Sequence, residues 1–168
     1  FFGVLKAGGT VVNYSPLDAE RVLAHKIEDS ETDLLVTLDL AALYPQMGRL
    51  LGASRLKKLI VGNLADYANQ PAAVRAHLQA TQQLVDVPAD GRHVRFDALL
   101  ANAGDFETHA LGDLTQAVVV LQYTGGTTGL PKGAMLTHAN LSAACAQYRQ
   151  PMLAEGSNVT EGDERVLV

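Results

Sequence analysis

Residues 117–141 read AVVVLQYTGGTTGLPKGAMLTHANL: an apolar run, a turn dense in glycine and threonine, and a second extended segment. Ala117 to Tyr123 alternates too little for a half-open strand and predicts one buried on both faces, as in a parallel sheet. From Tyr123 to Gly133 the chain packs three threonines, four glycines and a lysine into eleven positions. Glycines let the backbone approach an anion and turn its N–H groups inward as a nest, the hydroxyls of Thr124, Thr127 and Thr128 add donors, and Lys132 adds positive charge at the far end. Gly133 to Leu136 reads as another strand. Thr137 reads as the cap of a helix carrying Leu141, Ala144, Cys145 and Tyr148 on one face.

The plainest reading of the turn is a glycine-rich surface loop that binds nothing, but its threonines and its Pro-Lys-Gly ending argue against that. A Walker P-loop needs Gly-Lys followed by Ser or Thr, whereas Lys132 lies between Pro131 and Gly133. A dinucleotide fingerprint would open a helix, whereas this turn leads into an extended segment.

Upstream, Val4 to Ala7 predicts a helix end stopped by Gly8 and Gly9, and Thr10 to Asn13 a short buried strand before Tyr14-Ser15-Pro16. Ala19, Val22, Leu23 and Ile27 share a helical face in a segment running from Asp18 to near Ser30. Asp33 to Leu38 and Leu59 to Val61 read as buried strands, with helices over Ala41–Leu51, Pro71–Leu84 and Phe96–Ala101 between and after them. Residues 86–95 and 102–113 read as surface loops. Strands alternating with helices predict an α/β fold with a mostly parallel sheet flanked by helices.

With 168 residues, 48% hydrophobic and 18% charged, the chain is sized for one core. A net charge of −5 without a basic block argues against nucleic-acid binding. The single Cys145 and the lack of Cys/His clusters at ligand spacing fit a reducing compartment, so a cytoplasmic location is expected. The apolar N-terminus, broken by Lys6, Gly8 and Gly9, is too short for a membrane span. Beginning at Phe1 without Met and ending on the strand-like Val166-Leu167-Val168, the chain is expected to be an internal piece of a longer protein.

Residues 123–141 resemble the phosphate-loop signature of the adenylate-forming (AMP-binding) superfamily, and Gly3 to Gly9 with Asn13 to Leu17 resembles that family's earlier Leu-Lys-Ala-Gly segment. Order and separation agree, and the wording is most similar to bacterial long-chain fatty-acid CoA ligases. The resemblance implies a partial AMP-binding (adenylation) domain over 1–168, truncated at both ends and belonging to the large N-terminal domain. It implies a reaction in which a carboxylic acid, here a fatty acid, attacks the α-phosphate of ATP to give an acyl-adenylate and pyrophosphate. Coenzyme A then displaces AMP to form the thioester.

Carried over by position, Thr124, Thr127 and Thr128 contact phosphates, Gly125, Gly126 and Gly129 permit close approach, Lys132 neutralises leaving pyrophosphate, and Thr124 also touches Mg2+. The family's downstream Tyr-Gly-x-Thr-Glu segment, ribose-binding Asp and C-terminal catalytic Lys have no match here. Asp163 to Val168 resembles the strand just before the acyl pocket. The chain alone is therefore expected to be inactive. Two alternatives remain: a non-catalytic phosphate- or nucleotide-binding module, and a structural remnant that self-associates through sheet edges exposed by truncation.

Other candidates take quieter readings. His138 reads as a structural hydrogen-bonding partner, and His25, His77, His93 and His109 as histidines without a neighbouring carboxylate or nucleophile. Asp18, Glu20, Glu28, Asp29 and Glu31 read as a solvated helix face, and Cys145 as a small core residue.

Overall fold

The computed structural model describes residues 1–105, 107, 109–110, 112–124 and 129–152. Elements follow in the order α1 (Phe2–Lys6), β1 (Val11–Asn13), α2 (Glu20–Asp29), β2 (Leu34–Leu38), α3 (Tyr44–Ala53), β3 (Lys58–Gly62), a 3-10 turn (Leu64–Tyr67) and α4 (Pro71–Ala80). After these come β4 (His93–Arg95), α5 (Phe96–Leu100), β5 (Val118–Thr124), β6 (Lys132–Thr137) and α6 (His138–Met152). This is the expected α/β class, with parallel strands flanked by helices. The expected strand at 166–168, and Gly125, Gly126, Thr127 and Thr128, lie outside the described residues.

Two compact units divide the chain: Val12–Glu107 with Tyr123–Gly133, and Phe1–Val11 with Thr108–Gln122 and Ala134–Val168. In the larger unit β2, β3 and β4 lie side by side and parallel, with Leu35 opposite Leu59 and Leu59 opposite His93. Side chains alternate across a sheet, so Leu35 shares a face with Leu59 and Val61. Against them α2 sets Leu23 and Ile27, and α3 sets Met47, Leu50 and Leu51. Leu23, Ile27 and Leu59 are wholly buried, and burying a side chain of this size contributes about 1.5–3 kcal/mol.

The other face of β2 corrects the reading of residues 33–38 as buried on both sides. Leu34 is 55% and Val36 61% exposed: α2 and α3 pack on one face, while α5 packs mainly on β3 and β4. A second correction is β4, which falls in the expected 86–95 loop. It is three residues long and follows Asp90-Gly91, too short to show a period, and it is held by backbone pairing to β3. Arg92, just before it, donates to the carbonyls of Leu51 (2.5 Å) and Leu56 (2.8 Å), tying the end of α3 to the sheet.

Helix ends also differ from expectation. Pro45 sits in the first turn of α3, where a missing N–H costs nothing, so residues 41–43 form a turn before it. Helix α4 stops at Ala80 because Gln82 adopts φ +54° and the Gln83 amide returns to the Leu78 carbonyl (2.8 Å). Helix α2 ends in the same way, with Glu31 at φ +54° and the Thr32 amide on the Ile27 carbonyl (3.0 Å). Glycine usually marks such a stop, and neither position has one.

In the smaller unit α1 ends as expected at Gly8, which adopts φ +73° and leaves no room for a side chain beside His109. Strand β5 lies between β1 and β6, and its Val119 and Val120, which point to opposite faces, are both buried. The expected cap of α6 is present: Thr137 Oγ1 accepts the Asn140 amide (3.2 Å), and Asn140 Oδ1 accepts the Thr137 amide (2.9 Å). Cys145 is exposed, as is Tyr148, and α6 has no buried residue, so the core reading of Cys145 is corrected.

Candidate functional site

Strand β5 ends on a buried Tyr123 and an exposed Thr124, and β6 begins at an exposed Lys132. The two strands are neighbours in the sheet. The link 125–131 between them is far shorter than a parallel crossover requires, so the strands form a hairpin, joined in sequence by the glycine–threonine segment.

Helix α2 fastens both ends of this hairpin turn. On the incoming side the Tyr123 hydroxyl donates to Asp29 Oδ2 at 2.6 Å. The Lys26 ammonium lies 5.5 Å from the centre of the Tyr123 ring and 2.5 Å from Asp18 Oδ2. On the outgoing side His25 Nε2 lies 3.1 Å from the Pro131 carbonyl oxygen. A carbonyl only accepts, so Nε2 carries the proton. Gly133 lies over the Tyr123 ring, where a Cβ would stand only 3.2 Å from its Cζ. His25 and Asp29 are four residues apart and therefore share a helical face.

Burial pushes the Tyr123 phenol far above its ordinary ionisation range, and its bond to the Asp29 carboxylate adds to that. Tyr14, also raised by burial, braces the end of α2 through Ser30 Oγ (2.9 Å) and Thr32 Oγ1 (2.7 Å).

Of the residues expected to bind phosphate, Thr124 and Lys132 stand at the ends of adjacent strands. Neither side chain has a hydrogen bond or ion pair with another described residue. Gly129 is exposed in a bend before β6. The remaining four, Gly125, Gly126, Thr127 and Thr128, lie outside the described residues.

Sequence reasoning missed the fastening residues. The acidic residues read as a solvated face each find a partner: Asp18 pairs Lys26, Glu20 pairs Arg49, Glu28 accepts the Arg55 amide, Glu31 lies near Arg55, and Asp29 takes the Tyr123 hydroxyl. The available signal was the i, i+4 spacing of His25 and Asp29 beside the core positions Leu23 and Ile27.

The reading of His93 is likewise corrected. Its Nδ1 lies 2.8 Å from Asp90 Oδ1 and its Nε2 2.9 Å from the Tyr44 hydroxyl. Because Asp90 Oδ1 also accepts the amides of Arg92 and His93, the group is a brace at the start of β4. His138 begins α6 with its amide on the Ala117 carbonyl (3.2 Å), and its buried Nε2 has no partner among the described residues.

A cavity of about 700 Å³ in the larger unit is lined in part by Arg75, Asp90, His93 and Arg95. These groups already have partners, Arg75 with Asp66, Arg95 with Asp97 and His93 with Asp90. At the hairpin turn, Thr124 and Lys132 have no such partner among the described residues.

A parallel α/β layer, with a glycine–threonine link joining two neighbouring strands, accords with the resemblance of residues 123–141 to the adenylate-forming class. The chain belongs to the family of the AMP-binding enzyme, whose sequence profile matches residues 1–168. It is 33% identical over 181 residues to the long-chain-fatty-acid–CoA ligase of Bacillus subtilis (strain 168), covering 99% of this chain and 29% of that protein. To the ligase of the same name from Escherichia coli O6:H1 it is 29% identical over 163 residues, covering 94% of this chain and 29% of the relative. The chain thus spans under a third of the length of these curated relatives.

Among solved structures it is similar to a long-chain-fatty-acid-CoA ligase from Archaeoglobus fulgidus, with TM-score 0.58, 26% identity, and coverage of 88% of this chain and 24% of that one. The luciferase-like enzyme of the mealworm Zophobas morio shares the fold at TM-score 0.51 and 17% identity, over 78% of this chain and 25% of that one.

Proposed function

We propose that the chain is an internal part of an ATP-dependent, AMP-forming acyl-CoA ligase, and that its hairpin turn binds the β- and γ-phosphates of ATP. The observation that carries this reading is the pair of groups unengaged among the described residues, the Thr124 hydroxyl and the Lys132 ammonium, on adjacent strand ends bracketing a run of glycines and threonines. Such donors, fixed before the charge develops, need no reorganisation when it does.

In the proposed reaction a fatty-acid carboxylate attacks the α-phosphorus of ATP, the acyl–oxygen–phosphorus link forms, and pyrophosphate leaves. Coenzyme A thiol then attacks the acyl carbon and AMP departs. Thr124, Thr127, Thr128 and the amides of Gly125, Gly126 and Gly129 hold the phosphates, and Lys132 offsets the charge of the departing pyrophosphate. Magnesium, bound with the nucleotide, supplies further neutralisation, and Thr124 is the residue that would touch it. The Thr124 hydroxyl, without a partner among the described residues, and the exposed strand end that carries it suit that role.

No helix among the described residues is long and apolar enough to cross a membrane, and a cytoplasmic site of action accords with this reading. The chain alone, matching less than a third of its relatives, is inactive in this proposal. Titration with Mg-ATP and with pyrophosphate tests the binding role. Saturable binding by the chain, lost in Lys132→Ala and in a Thr127→Ala/Thr128→Ala double variant, supports it, and binding indifferent to both removes the turn from the site. Turnover is tested in the longer protein by fatty-acid-dependent pyrophosphate release.

A second property, self-association of the isolated chain, is favoured by one observation: among the described strands β2 is at a sheet edge, and its Leu34 and Val36 stand exposed.

A further inference from the structure

We infer that α2 is the positioning element of the phosphate-binding turn, with His25 fixing its outgoing end at Pro131 and Asp29 fixing its incoming end through Tyr123. The inference rests on the proposed phosphate role of the turn. A turn that must present backbone donors to an anion works only if its ends are held in place, since a small misplacement of positioning groups is costly. Here the only covalent anchors are β5 and β6, and neither side-chain bond belongs to the strands' own pairing.

Two bonds do the holding. His25 Nε2 donates to the Pro131 carbonyl (3.1 Å), immediately before Lys132, and Asp29 Oδ2 accepts from Tyr123 (2.6 Å), immediately before Thr124. Each anchored residue thus precedes an unengaged candidate ligand by one position. Gly133 closes the arrangement by lying on the Tyr123 ring, which a side chain at 133 would displace. The helix that supplies both partners is itself immobilised by wholly buried Leu23 and Ile27.

The test uses the full-length ligase carrying this segment. His25→Ala, His25→Gln, Asp29→Ala and Tyr123→Phe are compared with His77→Ala, an exposed histidine on α4. The readouts are amide hydrogen exchange across residues 129–135, KM for Mg-ATP and for fatty acid, and melting temperature.

His25→Ala is expected to speed exchange at 129–135 and to raise KM for Mg-ATP by about 3- to 10-fold, the worth of one hydrogen bond. KM for fatty acid stays unchanged. His25→Gln, whose side-chain amide also donates, recovers most of both effects, and His77→Ala changes neither. Unchanged exchange at 129–135 in His25→Ala overturns the inference. So does a general loosening of residues 12–107 in which both KM values and the melting temperature move together and Gln gives no recovery. Faster exchange in a protein whose unsubstituted form neither binds Mg-ATP nor releases pyrophosphate would sink the phosphate reading instead, and would leave the fastening standing.

Discussion

Tyr123 sits with its ring buried, its hydroxyl on a carboxylate and an ammonium above its face. Its phenol keeps its proton in the folded chain well beyond the ordinary value of 10.0, at which an unfolded one would release it. The sign follows directly: above that value the unfolded chain binds fewer protons, so stability present at neutral pH is lost as the solution turns alkaline. Tyr123→Phe is expected to cost about 0.5–1.5 kcal/mol at neutral pH through the lost bond and to make the alkaline decline shallower. Tyr14, raised by burial for the same reason, retains part of the slope. Urea unfolding across an alkaline pH series measures both effects, and an unaltered slope would mean that Tyr123 ionises alike in both states. At this scale the sequence was legible for Thr124, Gly129 and Lys132, whose types announce anion chemistry. It was silent on His25 and Asp29, because a histidine and a carboxylate on a helix gain meaning only from the distant backbone and side chain they reach.

Helix α4 ends on Gln82 in a left-handed conformation that glycine adopts without steric cost. That conformation costs an L-residue about 1–2 kcal/mol, partly offset by the greater unfolded freedom of glycine. Gln82→Gly is therefore expected to raise stability by about 0.5–1 kcal/mol, read as a higher urea midpoint, and a lower midpoint would show that the Gln82 side chain contributes a contact outweighing the strain. In the sheet, Leu59→Ala is expected to cost about 2–5 kcal/mol, since Leu59 is wholly buried in the core that includes residues of α2 and α3. Elements with long periodic patterns, such as α2 and β5, were legible in the sequence. Strand β4 and the stop of α4 were not, since three residues carry no period and a glutamine does not announce a left-handed turn.

The chain as a whole leaves apolar surface uncovered on β2, at Leu34 and Val36, and along α6 at Tyr148. Leu34→Lys/Val36→Lys is expected to shift the isolated chain from associated to monomeric species in sedimentation velocity. The same distribution in both forms would remove β2 from any interface. Sequence pattern predicted burial at these positions because both faces of a parallel sheet are ordinarily covered. What covers them was not legible, since periodicity says that a face is apolar and not which segment of polypeptide lies over it.

Helix α2 places one set of residues, Leu23 and Ile27, in the core and another, His25 and Asp29, against the hairpin turn. Ten residues wound at this pitch leave few positions answerable to neither. In a saturation-mutagenesis map scored separately for folding and for turnover, Leu23 and Ile27 should fail both scores, and His25 and Asp29 chiefly the second. The exposed Arg21 should accept almost anything but proline. A helix short enough to look like scaffolding would then prove among the least substitutable stretches of the chain, intolerant on two sides for two unrelated reasons.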